Sequence, residues 1–200
     1  MTRQIKPPIT SKLFWKVKKP HYCIQIFEID DKDFFINSKK RKTLSVFNDL
    51  VMNTIQLVTD IQKFNELPVL YYGNSNEPLV NIAGVTISIS HSGGLLAIAC
   101  AYKSRVGVDI QVKKNINERH AQIFMSQKEL TEPKLNYLAS WCVKESYAKA
   151  LGLGFLLPFK QIRPIRINAT KYMVINSTHP ESIAEIVEFE NHCLAYTLVA

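Results

Sequence analysis

The sequence has no apolar run approaching the ~20 residues that span a bilayer, so no membrane-crossing helix is expected. It has no Cys-x-x-Cys pair: Cys23, Cys100, Cys142 and Cys193 are scattered through apolar stretches. That distribution fits reduced core thiols and argues against a disulfide framework. No His/Cys cluster has zinc spacing, and Gly-x-Ser-x-Gly, Walker and Gly-x-Gly-x-x-Gly patterns are all missing. Serine-hydrolase, P-loop and dinucleotide-fold readings therefore fall away. There is no repeat and no low-complexity tract. Residues 1–20 are polar and lysine-bearing with no apolar stretch behind them, so no secretory leader is expected and the chain is placed in the cytoplasm.

Acidic residues are also scarce. Asp and Glu number 17 against 25 Lys and Arg, a formal charge of +8. Such an excess implies an anionic partner: an acidic protein, a phosphate-rich cofactor, nucleic acid or anionic lipid. Lys16-Val17-Lys18-Lys19 and Lys39-Lys40-Arg41-Lys42 concentrate it toward the N-terminus. With 46% hydrophobic residues in 200, the chain can form one compact unit or two small halves sharing a core.

Apolar periodicity divides the chain into elements. Residues 22–29 alternate as a strand, and residues 38–64 carry apolar positions at helical spacing. Two β-type runs, 85–91 and 95–102, flank Ser92-Gly93-Gly94 and predict a hairpin; 106–112 is a further strand. Ser126-x-x-Glu129 is a capping-box pattern, and a helix is expected from Pro133 to about Leu151. Four strand-like runs follow, at 162–168, 172–176, 183–189 and 193–199. The order predicts an α+β fold of two similar halves, 1–104 and 105–200, each a mainly antiparallel sheet with one principal helix.

Two carboxylates sit where carboxylates are costly. Asp109 lies in the strand pattern Val106-Gly107-Val108-Asp109-Ile110-Gln111, where alternation places Gly107, Asp109 and Gln111 on one face. Asp is disfavoured inside strands, so it either caps a turn or serves a site. Glu145 lies four residues after Trp141 on the helix, flanked by Lys144 and Lys149. It can be an ordinary i,i+4 pair with Lys149 or a ligand-facing acid. Oxygen donors beside lysines suit Mg²⁺ holding a phosphate. His91 alternates onto the Ile87/Ile89 face, as a core histidine or, beside the glycine turn, as an exposed phosphate contact with Ser90.

Three motifs together resemble those of the Sfp-type 4′-phosphopantetheinyl transferases: Ser88-Ile89-Ser90-His91-Ser92, Gly107-Val108-Asp109-Ile110, and Trp141-x-x-Lys144-Glu145-Ser146-x-x-Lys149. Phe124-Met125-Ser126-x-x-Glu129-Leu130 adds to the likeness, which covers residues 70–155. The resemblance implies two halves related by a pseudo-two-fold. It implies transfer of phosphopantetheine from coenzyme A to a serine of an acidic acyl or peptidyl carrier protein, with release of 3′,5′-ADP. It assigns Mg²⁺ to Asp109 and Glu145 with Gln111 beside them, and catalysis to Glu145, Lys149 and Asp109. Lys149 and Lys144 would hold the pyrophosphate, His91 and Ser90 the 3′-phosphate, with Arg41 near the coenzyme. Many members carry a second acid where this chain has Gln111, so weaker metal binding is expected, though not inactivity. Gly73-Asn74-Ser75-Asn76-Glu77-Pro78 also stands where the family usually has a tighter Gly-Lys-Pro. A monomer acting away from membranes and nucleic acid is expected. The alternative is a non-catalytic basic module for a nucleotide or nucleic acid, although the Phe and Tyr residues fall on apolar faces and form no stacking platform.

Overall fold

A computed structural model of the protein describes residues 10–30, 45–58, 68–74, 76–132 and 136–200. Strands β1 (Ser11–Lys19) and β2 (Tyr22–Ile29) precede helix α1 (Ser45–Gln56). A short hairpin, β3 (Leu70–Tyr72) and β4 (Pro78–Val80), is followed by β5 (Val85–Ser92), β6 (Leu95–Tyr102) and β7 (Arg105–Val112). Helices α2 (Glu118–Phe124), α3 (Gln127–Leu130) and α4 (Tyr137–Ala150) come next. Four strands close the fold: β8 (Arg163–Arg166), β9 (Lys171–Ile175), β10 (Ser182–Glu188) and β11 (His192–Val199).

The fold is α+β, with two larger antiparallel sheets ordered β1-β2-β6-β5 and β7-β11-β10-β9-β8 beside the small β3–β4 pair. One topology occurs twice. β2, α1 and the β5–β6 hairpin give the spatial order β2-β6-β5; β7, α4 and the β10–β11 hairpin give β7-β11-β10.

Alternation along the central strands builds a four-layer stack. Leu96, Ile98 and Cys100 of β6 face α1 through Phe47, Val51 and Ile55. The other face of β6, with Ala97 and Ala99, packs on Val106, Val108 and Ile110 of β7. Beyond the second sheet, Cys193 and Ala195 of β11 meet Cys142, Val143 and Tyr147 of α4. All four cysteines are buried free thiols, where the apolar flanks place them.

The hairpin and capping signals in the sequence correspond to real elements. Gly93 and Gly94 both take positive φ (53° and 85°), the conformation a two-residue β-hairpin loop requires. Ser126 and Glu129 form a reciprocal capping box. Other expectations need correction. The long helix expected over 38–64 is a helix only over 45–56 among the described residues, and α4 begins at Tyr137 behind an Asn136 cap, Pro133 lying outside the described residues. The turn-rich stretch around 73–78 links the β3–β4 hairpin. β1 was not expected at all: it is an edge strand, exposed along most of its length, whose lysines hide any buried period and discourage pairing with other chains.

Gly107 decides how α4 sits. A β-carbon there would collide with the Ser146 carbonyl and the Ala150 amide of α4. These obstacles are backbone, so no rotamer change relieves them. Gly107→Ala should lower stability by about 1–3 kcal/mol in urea unfolding, the usual cost of forcing volume into a packed core. An unchanged midpoint would contradict this close packing. Ser146, whose Oγ lies 2.8 Å from Thr197 Oγ1, keeps the same crossing small on the helix side.

Candidate active site

Because Gly107 brings α4 down onto β7, side chains one turn apart on the helix reach the next α4-facing residue of the strand, Asp109. Lys149 Nζ lies 3.0 Å from Asp109 Oδ1 and 3.5 Å from Glu145 Oε1, and donates to the Val108 carbonyl at 3.2 Å. Asp109 is fully buried and has two further donors: Ser90 Oγ at 2.8 Å on Oδ1 and Gln111 Nε2 at 3.1 Å on Oδ2. The sequence-predicted trio Asp109, Glu145 and Lys149 thus forms one cluster, with Gln111 at its edge.

The electrostatics follow from burial. Glu145 has its pKa raised, first by desolvation and then by the neighbouring Asp109 charge; Lys149 and a hydrogen bond with Trp141 only partly offset this. Burial pulls Lys149 down, yet Asp109 and Glu145 outweigh it and the ammonium pKa is raised. Lys149 therefore stays charged at neutral pH. A cavity of about 890 Å³ opens beside the cluster, walled by Glu145, Lys149, Arg105, Ile87, Leu153 and Phe155.

Among the described residues no group of three or more His, Cys, Asp or Glu side chains gathers around a metal position. The donor chemistry nevertheless suits Mg²⁺, which takes one or two carboxylates and fills its shell with water and phosphate oxygens. Two carboxylates here already converge on one cation, the Lys149 ammonium, and Asp109 raises the pKa of Glu145, as closely placed like charges do.

Two other expected contacts, Lys144 and Ser90, face away from the cluster's open side. Lys144 is fully buried on a different face of α4. Its ammonium sits 2.7 Å from Glu129 Oε1 and donates to the carbonyls of Phe124 (3.0 Å) and Phe159 (2.9 Å), so it has no route to a pyrophosphate. Ser90 faces β7 and is buried, whereas half-buried His91 takes the opposite face of β5; the two do not form a pair. Arg41 lies outside the described residues.

Sequence reading missed two participants. Glu129 caps α3 and is also the counter-ion of Lys144; the capping box showed only the first role. Trp141 contacts Glu145 from one turn earlier, a role implicit in their i,i+4 spacing.

Residues 105–197, which include Asp109, Glu145 and Lys149, match the family model of the 4′-phosphopantetheinyl transferase superfamily. The matched stretch, just under half of the chain, is what this protein shares with that superfamily. Its members transfer phosphopantetheine, using coenzyme A and acting on carrier proteins. The Ser88–Ser92 motif lies before the matched residues. No curated protein matches the chain. Among the described residues no helix is long and apolar enough to cross a membrane.

Proposed function

We propose that the chain is an Sfp-type enzyme that moves 4′-phosphopantetheine from coenzyme A to a serine of an apo acyl or peptidyl carrier protein. The observation that carries this reading is the convergence of Asp109, Glu145 and Lys149 within 3.5 Å beside a large cavity. A non-catalytic basic module gives no reason to bury two carboxylates around one ammonium.

In the reaction the serine Oγ attacks the β-phosphorus of the pyrophosphate, a new P–O bond forms, and the bond to 3′,5′-ADP breaks. Glu145, the carboxylate beside Lys149 on the cavity wall, is the base that takes the serine proton. Lys149 holds the pyrophosphate and offsets charge that grows on the leaving oxygen. Asp109 and Glu145, with Gln111 beside them, would hold Mg²⁺, which supplies charge neutralisation on the phosphoryl oxygens when bound. His91 is the proposed contact for the coenzyme's 3′-phosphate. The +8 charge favours an acidic carrier, with Lys113, Lys114 and Arg119 just beyond β7 as its contacts. We take the halves to divide near residue 104, between β6 and β7, and the enzyme to act as a cytoplasmic monomer.

The test is chromatographic. With coenzyme A, Mg²⁺ and apo carrier, 3′,5′-ADP should appear in proportion to carrier supplied. Release without carrier, or none across several carriers, would overturn the proposal.

A further inference from the structure

Ser90 belongs to a set of hydroxyls that β5 presents to the free edge of β7. Ser88, Ser90 and Ser92 each accept a hydrogen bond from a β7 backbone amide, those of Val108 (3.1 Å), Ile110 (3.3 Å) and Val112 (3.0 Å). The two-residue spacing of the serines matches the two-residue spacing of outward amides on an edge strand. Neighbouring Thr86 donates to the Ser104 carbonyl at 2.8 Å. The sheets are therefore fastened edge to edge by side chains where backbone pairing does not reach, and the three amides gain acceptors.

One rung differs from the others. Ser90 Oγ accepts from Ile110 and also donates its only proton to Asp109 Oδ1 at 2.8 Å. A phosphate oxygen needs a donor, and Ser90 has none left. The residue is also 7% exposed and turned to the face of β5 opposite His91.

We propose that Ser90 is a positioning residue that fixes the Asp109 carboxylate, and is not a contact for the coenzyme's phosphate; its catalytic consequence rests on the transferase reading above. Three donors hold Asp109: Ser90 and Lys149 on Oδ1 and Gln111 on Oδ2. Lys149 is required elsewhere in the reaction, and Gln111 shares the strand of Asp109 and moves with it. Ser90 is the donor that reaches Asp109 from the other sheet, so it ties the carboxylate to the opposite wall of the cleft.

Ser88→Ala is the matched control, since it frees one backbone amide of the same ladder without touching Asp109. Both variants of the full chain would be compared with the parent in thermal melting, transfer kinetics and calorimetric binding of Mn²⁺ alone. Both should melt at a lower temperature than the parent, Ser90→Ala the lower of the two because buried Asp109 also loses a donor. Ser90→Ala should in addition lower kcat and Mn²⁺ affinity by roughly 10-fold or more, the usual effect of removing a partner behind a metal ligand, with KM for coenzyme A nearly unchanged. Ser88→Ala should stay within about threefold in both, as expected where no ligand partner is lost. The proposal is overturned if Ser90→Ala matches Ser88→Ala in kcat and Mn²⁺ binding. A raised KM for coenzyme A at constant kcat would overturn it too, because that is the signature of a lost phosphate contact. If the parent transfers nothing while Mn²⁺ affinity still separates the variants, the transferase reading fails and the positioning role stands.

Discussion

Glu145→Gln is expected to reduce transfer by about 10²–10⁴-fold, the range attributed to a positioned general base. The amide keeps the volume and the helix, so Trp141 and Lys149 retain a neighbour of the same shape; what goes is the charge and the ability to accept a proton. Stability should move differently. The folded-state pKa of Glu145 is raised above its ordinary value of 4.5, mainly by burial and then by Asp109. Folded protein therefore binds this proton more readily than unfolded chain does. The stability linked to Glu145 is fully present below the ordinary carboxylate value and is lost as pH rises through the raised one. At neutral pH the ionised side chain costs the fold free energy, and Glu145→Gln should unfold at an equal or higher urea concentration. Full activity in the variant, or a large loss of stability, would contradict the role given to this residue.

Lys144→Met should have the largest effect on stability, about 3–5 kcal/mol, because it strips a buried carboxylate of its counter-ion. Glu129 would keep only the Ser126 backbone amide and hydroxyl, both at 2.8 Å on Oε2. The Phe124 and Phe159 carbonyls would lose their shared donor at the same time. These carbonyls belong to the residues whose rings pack on Trp141, with centroids 4.8 and 5.3 Å away, so the damage should spread to the aromatic wall behind the site. Replacing Glu129 by Gln in the same chain should recover part of the loss, since the stranded charge is then gone. Urea midpoints of the single and double variants read this out. A stable Lys144→Met that binds coenzyme A poorly would instead make Lys144 a phosphate contact.

The contrast between Lys144 and Lys149 explains how far the sequence could be read. Successive helical residues are ~100° apart, so a lysine at i−1 from Glu145 faces elsewhere while one at i+4 shares its face. Reading both as brackets around Glu145 ignored that rotation. Ser90 and His91 repeat the lesson with the period of a strand, where adjacent residues must point apart. The central strands, the Gly93-Gly94 hairpin and the Ser126 capping box were legible because each depends on a local pattern. Two features were not. The serines of β5 match a distant strand edge, and Gly107 matters for a helix some forty residues away; neither pairing leaves a local signature. The space that Gly107 leaves is filled by the backbone of α4, not by a ligand.

Intact-mass analysis of an apo carrier protein tests the central claim most directly. After incubation with coenzyme A, Mg²⁺ and this chain, the carrier should gain one phosphopantetheine on a serine, and the gain should vanish with Glu145→Gln. No gain across several carriers, or an undiminished gain with that variant, would contradict an enzyme working through Asp109, Glu145 and Lys149.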